Sequence, residues 1–173
     1  AVASPAAELH FDLIDGLRKQ GYGDMAVQYL RNLETSQKIP EDLKETFDLE
    51  LGRSLQVASQ NSENVDEADR LGLESRAALD KFLKEHPTHE DAAEAYDTFG
   101  QLSLEIGNDA VKQAGRQKDP ARKKTLMDQA RAAFEEARPR FAEAVKQYQL
   151  KYDAIKKAQE GEQPTRNKRP KSR

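Results

Sequence analysis

Apolar residues that recur every three or four positions, in segments separated by glycine or proline, most constrain what this chain can fold into. Such spacing is typical of helices that bury one face. In one segment, Pro40 suits the first turn of a helix. The apolar positions that follow it keep helical spacing throughout: Leu43, Phe47, Leu51, Leu55 and Ala58. Because no alternation typical of β-strands recurs along the chain, the sequence predicts an all-α fold.

Breaks between these segments divide the chain into six or seven helices, which we expect to pack as antiparallel pairs. The stretch Gly21–Gly23 ends the first helix, since glycine readily adopts the left-handed conformation found at helix ends. Pro87 ends the helix that begins near Val65, because the residue before a proline avoids the helical region. The last segment contains Pro139. A proline inside a helix costs about 3 kcal/mol, so we expect a kink or a new helix start there.

This organisation predicts a flexible N-terminus at residues 1–7, a helical repeat domain at 8–158 and a disordered tail at 159–173. The last thirteen residues, 161–173, hold five Lys or Arg and one Glu, whereas the whole chain has a net charge of −3. A nucleic-acid-binding domain would show a basic folded face, so we expect no nucleic acid partner. Contact with an anionic membrane is expected only through the tail.

Residue types that support catalysis are scarce in this sequence. The chain contains no cysteine, no serine in a G-x-S-x-G setting and no phosphate-binding glycine loop. His86 and His89 lie close together, but Pro87 places them on either side of a helix break, unlike zinc ligands on one helical face. We interpret Thr88 as the N-cap of the next helix, with Asp91 completing a capping box. We therefore expect no enzymatic activity, cofactor or metal; a metal protein that uses both histidines is the weaker alternative.

The repeated order of helix, turn, helix and proline resembles the tetratricopeptide repeat, a helix–turn–helix unit of about 34 residues. In the first pair, Gly21, Asp24 and Ala26 match the turn of the family and the small residue that lets its helices approach. The match departs where Ile14 replaces the usual glycine. The second and third pairs are also longer than the family's period, so the repeats are elongated and irregular.

The stretch FLKEHPTHEDAAEAYDTFG, residues 82–100, is similar to a junction common in tetratricopeptide proteins of the bacterial cell envelope. We expect Ala95 and Gly100 to allow close packing against the preceding helix. Tyr96 and Phe99 are expected to fill the gaps between repeats.

This resemblance implies a short α-solenoid that binds a protein or peptide in the concave groove lined by the first helix of each pair. It places these partner-binding residues in the groove: Asp15, Arg18, Arg53, Gln56, Asp97, Gln101 and Glu105. The set mixes charge signs, which favours polar recognition of another protein over capture of a C-terminal carboxylate. The predicted function is a non-enzymatic interaction scaffold.

Two alternatives from other classes stay open. The first is a self-assembling structural protein, a homo-oligomer whose copies are joined through the stripe of Phe141, Tyr148 and Tyr152 or through the solenoid ends. The second is the helical part of a larger protein that has its activity elsewhere. The first residues, AVASPAA, resemble what remains beside a signal-peptide cleavage site. We therefore expect a periplasmic or otherwise exported location, with the cytoplasm as the alternative.

Overall fold

The computed structural model describes residues 5–161, with side chains from Leu9 to Gln159, and is helical over most of that range. The described part contains seven helices and no β-strand, which confirms the all-α prediction. In chain order they are α1 (Pro5–Lys19), α2 (Gly23–Thr35), α3 (Glu41–Lys44), α4 (Phe47–Gln60), α5 (Val65–Glu85), α6 (Ala92–Arg116) and α7 (Pro120–Gly161).

Both predicted terminal segments fall partly outside the described residues. Helix α1 begins at Pro5, so residues 1–4 of the predicted flexible N-terminus lie outside the described range. Helix α7 continues to Gly161, so residues 162–173 of the predicted basic tail lie outside it as well.

The prediction of one continuous helix after Pro40 is wrong. A short α3 ends at Lys44, and α4 begins at Phe47 after a break at residues 45 and 46. Leu43 and Phe47 nevertheless share one buried cluster with Ile14. The apolar spacing is therefore satisfied on both sides of the break, which is why the pattern did not reveal it.

Helix α7 runs through Pro139, so the predicted new helix start does not occur there. A proline leaves the carbonyl four residues earlier, that of Glu135, without its helical hydrogen bond. Both Pro139 and Glu135 are exposed, so water can hydrate this carbonyl.

The helices pack mainly on their neighbours along the chain. Helix α1 packs on α2, α2 on α4, α4 on α5, α5 on α6 and α6 on α7. In addition, α1 touches α4, and α4 touches α6. One apolar cluster joins α1 and α2 to α3 and α4, and a second joins α4 to α5 and α6. The three helices predicted to open each pair, α1, α4 and α6, are therefore neighbours.

Glycines allow close approach at several of these helix contacts. A Cβ atom on Gly23 of α2 would clash with the backbone of α4, and one on Gly52 of α4 would clash with Leu79 of α5. In α6, Gly100 and Gly107 lie against the side chains of two phenylalanines of α7, Phe141 and Phe134. Each of these positions therefore admits only glycine without movement of its neighbour.

The expectation that Gly100 packs against the preceding helix is wrong, because Gly100 receives Phe141 of the following helix. Ala95 does face the preceding helices, in a cluster with Leu49 of α4 and Leu79 of α5. Helix α6 therefore has one side against α4 and α5 and another against α7.

The α6–α7 contact predicts that two glycine substitutions in α6 have different effects on the free energy of unfolding. Gly107→Ala forces the Phe134 ring to move, which should lower the free energy of unfolding by about 1–3 kcal/mol. Gly115→Ala has nothing within 4 Å of the new methyl group. It should be neutral or stabilising by up to about 1 kcal/mol, because alanine favours helix.

Urea unfolding of both variants measures this difference. Adding Phe134→Leu to Gly107→Ala should recover part of the loss, since the leucine side chain is shorter than the ring. Equal stability of the two single variants would contradict the close packing of α6 on α7.

Candidate functional site

A chain of ion pairs joins α1, α4 and α6 and includes both arginines of the predicted partner-binding set. At its centre lies Glu50 of α4, whose side chain is only 6% exposed. Its carboxylate accepts hydrogen bonds from Arg18 Nη1 of α1 at 2.5 Å and from Arg53 Nη1 at 2.9 Å. Arg53 Nη2 also lies 2.7 Å from Glu94 Oε2 of α6. This chain of contacts therefore ties three helices together, and we call it the Glu50 network.

The arginines of the Glu50 network are largely withdrawn from solvent, with side chains 13% exposed for Arg18 and 17% for Arg53. The acids at its two ends are much more open: Asp15, which lies 3.7 Å from Arg18 Nη2, is 45% exposed, and Glu94 is 57% exposed. The hydrogen bond from Lys19 holds the pKa of Asp15 below its ordinary value. The exposed ends of the network are therefore acids, and the base Lys19, which is also exposed, accompanies Asp15.

The remaining predicted residues lie on α4 and α6. Gln101 Nε2 donates to Asp97 Oδ2 at 2.8 Å within α6. Glu105 accepts a hydrogen bond of 2.9 Å from Gln60 Nε2 of α4, and Gln56 lies half-buried one turn before Gln60. All seven predicted residues thus lie on three helices, of which α4 touches both α1 and α6.

Two residues that organise this surface were missed by the sequence analysis, Glu50 and Glu94. Glu50 lies among buried positions of α4, where an acid is unexpected without a partner. The one usable signal was its spacing from Arg53, because side chains three apart on a helix are neighbours. Its contact with Arg18 joins residues 32 apart in the chain, which no local pattern indicates.

A second feature was not predicted: a groove of about 820 Å³ between α5 and α7, with α6 as its floor. Its wall is apolar over much of its length, with Leu73, Leu102, Ile106 and Leu126. Asp69 and Asp109 also line it, and Gln60 and Glu105 lie where the groove meets the surface of α4 and α6. Burial raises the pKa of Asp69, and the nearby charges of Asp109 and Asp66 act in the same direction.

Two arginines bridge α5 and α7 across the ring of Phe99 in α6. The guanidinium carbon of Arg76 lies 5.3 Å, and that of Arg140 4.2 Å, from the ring centroid. Arg140 Nη2 donates to Asp80 Oδ1 at 2.9 Å, and Arg76 pairs with Glu136. Cation–π contacts of this kind contribute about 0.5–2 kcal/mol each.

The histidine turn between α5 and α6 is built differently from the predicted capping box. Helix α6 begins at Ala92, and the N-cap position belongs to Asp91, not Thr88. Asp91 N–H donates to His89 Nδ1 at 3.1 Å, and the ring of His89 packs edge-on against Phe82, with centroids 5.4 Å apart. Within the described range, no three His, Asp or Glu side chains are grouped so that they could hold a metal ion.

A scan against models of protein families found no match to this chain, and neither did searches of curated proteins and of solved structures. The resemblance to tetratricopeptide repeats therefore stays a prediction. In the described part of the chain, no helix combines the length and the apolar character needed to span a membrane.

The Glu50 network predicts a large difference between two glutamate substitutions. Glu50→Gln leaves two largely buried guanidinium groups facing a neutral amide, which should lower the free energy of unfolding by about 3 kcal/mol. Glu94→Gln removes an exposed partner of Arg53 and should cost less than about 1 kcal/mol. Denaturant unfolding of both variants measures this, and equal losses would show that Glu50 does not anchor the network.

Asp80 predicts a stability change at acid pH. Hydrogen bonds from Lys84 and then Arg140 hold the pKa of Asp80 below its ordinary value of 3.8. The stability that these contacts give is therefore present above pH 3.8 and is lost as the pH falls below it. Asp80→Asn should be less stable than the unmodified chain at pH 7, and the two should converge below pH 3.8. A difference that stays constant on acidification would show that the charge of Asp80 contributes nothing.

Proposed function

We propose that this protein is a non-enzymatic interaction scaffold, in which the face built by α1, α4 and α6 binds a protein or peptide partner. In this proposal α1/α2, α4/α5 and α6/α7 are three tetratricopeptide-like pairs stacked as a short solenoid. The order of helix contacts supports it, because each pair packs on the next along the chain. Contact between neighbouring units is the principle by which repeat proteins are built.

The observation that carries the proposal is the arrangement of charge on this face. Arg18 and Arg53 are turned into the Glu50 network and are largely covered. The more open side chains are acids or amides, Asp15, Glu94, Gln101 and Glu105, with the half-buried Asp97 beside Gln101. The exposed base Lys19 is paired with Asp15. Opposite charge favours encounter and specificity between partners. The partner segment is therefore expected to carry Lys or Arg side chains.

The same face is held rigidly, which favours binding. The Glu50 network joins α1, α4 and α6, and Gln60 joins α4 to Glu105 of α6. A surface built on packed helices loses little conformational freedom when a partner binds, so more of the contact energy appears as affinity.

Peptides of about 12 residues, matched in apolar content but rich in either Lys/Arg or Asp/Glu, test the proposal. The chain should bind the basic set, measured by fluorescence anisotropy, and not the acidic set. Raised salt should weaken this binding, because exposed charges are screened. Asp97→Lys combined with Glu105→Lys should abolish it.

A control with the same charge change separates the site from net charge. Asp128→Lys combined with Glu135→Lys changes two exposed acids of α7, away from the proposed face. This control should keep the affinity of the unmodified chain. Equal loss in both double variants, or binding of acidic peptides, would overturn the proposal.

A further inference from the structure

Helix α7 continues beyond the helices that support it. Gly107 of α6 lies against Phe134 and Gly100 against Phe141, so the two helices run antiparallel. Because Gly100 is eight residues from the start of α6, α7 passes that end of α6 about two turns after Phe141, at the usual helical rise. From Val145 to Gln159 every side chain is exposed except the half-buried Gln147.

This part of α7 carries a narrow apolar stripe. Its members, separated by steps of three, four and three residues, are Val145, Tyr148, Tyr152 and Ile155, each 46–68% exposed. We call them the tail stripe. A stripe with this spacing has the width of a coiled-coil seam, which one partner helix covers. Lys151 and Lys156 flank it, and residues 145–159 hold four lysines and one aspartate.

Helix α1 presents an uncovered apolar face in the other terminal part of the chain. It buries Ile14 in the core, while Leu9 is 69% and Leu13 46% exposed. Gly16 continues this face, is exposed, and borders open space, because a Cβ atom there would have nothing within 4 Å. We call Leu9, Leu13 and Gly16 the head stripe.

The charge beside the leucines of α1 is opposite to the charges beside the tail stripe. Asp15 is paired with Arg18 and with the exposed Lys19, and Arg18 is also paired with the buried Glu50. Asp12, which is exposed between Leu9 and Leu13, is therefore the acid beside the head stripe whose charge these bases leave uncompensated.

We infer that the tail stripe of one copy of this chain docks on the head stripe of a second copy. Lys151 and Lys156 beside the tail stripe are opposite in charge to Asp12 beside the head stripe, and Gly16 has no side chain that would hinder a tyrosine ring. Parallel pairing of two tail stripes is disfavoured, because the flanking positions would bring Lys151 of one copy opposite Lys156 of the other.

Such docking joins different surfaces of the two copies, so a docked pair still has one unused head stripe and one unused tail stripe. Contacts of this type generate rings or open chains rather than closed dimers. Two short helices bury less than about 1,200 Å² in total, which belongs to weak, transient interfaces. The association should therefore grow with protein concentration and weaken at raised salt. It does not require the peptide-binding face proposed above.

Sedimentation velocity of the full chain over a series of concentrations tests this inference. The unmodified chain should form species larger than a dimer as its concentration rises. Leu13→Asp disrupts the head stripe and Tyr152→Asp disrupts the tail stripe, so each variant alone should be monomeric. An equimolar mixture of the two variants should form a one-to-one dimer that grows no further. In that dimer the intact tail stripe of the Leu13→Asp variant meets the intact head stripe of the Tyr152→Asp variant.

A control and two contrary outcomes complete the test. Leu104→Asp changes an exposed leucine of α6 outside both stripes and should leave the association unchanged. Circular dichroism of each variant checks that it is folded. Self-association of Leu13→Asp alone would indicate pairing between tail stripes and overturn the inference. An unmodified chain that stays monomeric up to millimolar concentration would also overturn it.

Discussion

Close approach of helices through glycine is the constraint on which this structure depends. Gly23, Gly52, Gly100 and Gly107 each occupy a position where a Cβ atom would clash with the neighbouring helix. These glycines bring α2 close to α4, α4 close to α5 and α6 close to α7, and the core forms as clusters between neighbouring helices. Helix α6 shows this most clearly, because it meets α4 and α5 on one side and accepts two phenylalanine rings of α7 on another.

The charged groups act within this framework in two ways. Buried or covered ions, such as Glu50 with its arginines, fix α1, α4 and α6 relative to one another. Exposed ions define what each surface attracts: acids on the face of those three helices, and lysines on the end of α7. Pairing Arg18 and Arg53 internally also leaves that face more acidic than its residue composition indicates, and this connects the packing to the proposed partner chemistry.

The apolar spacing and the glycine and proline breaks were enough to predict the all-α fold and most helix positions. They were insufficient where two structures satisfy the same pattern, as at the break between α3 and α4, where Leu43 and Phe47 are buried either way. The sequence pattern also predicted that Gly100 lies at a contact between helices, but it did not indicate that the neighbour is Phe141 of the following helix. The candidate residues were placed on three touching helices, whereas the burial of Arg18 depended on Glu50, 32 residues away, and so required the folded chain.

We propose that recognition takes place on the acidic face of α1, α4 and α6. Zero-length carbodiimide cross-linking of the chain to a bound basic peptide, followed by mass spectrometry, tests it most directly, because that reagent joins carboxylates to lysines in contact. We expect cross-links at Glu94 and Asp97, which do not line the groove between α5 and α7. Cross-links concentrated instead at Asp69 and Asp109, in the groove between α5 and α7, would contradict it.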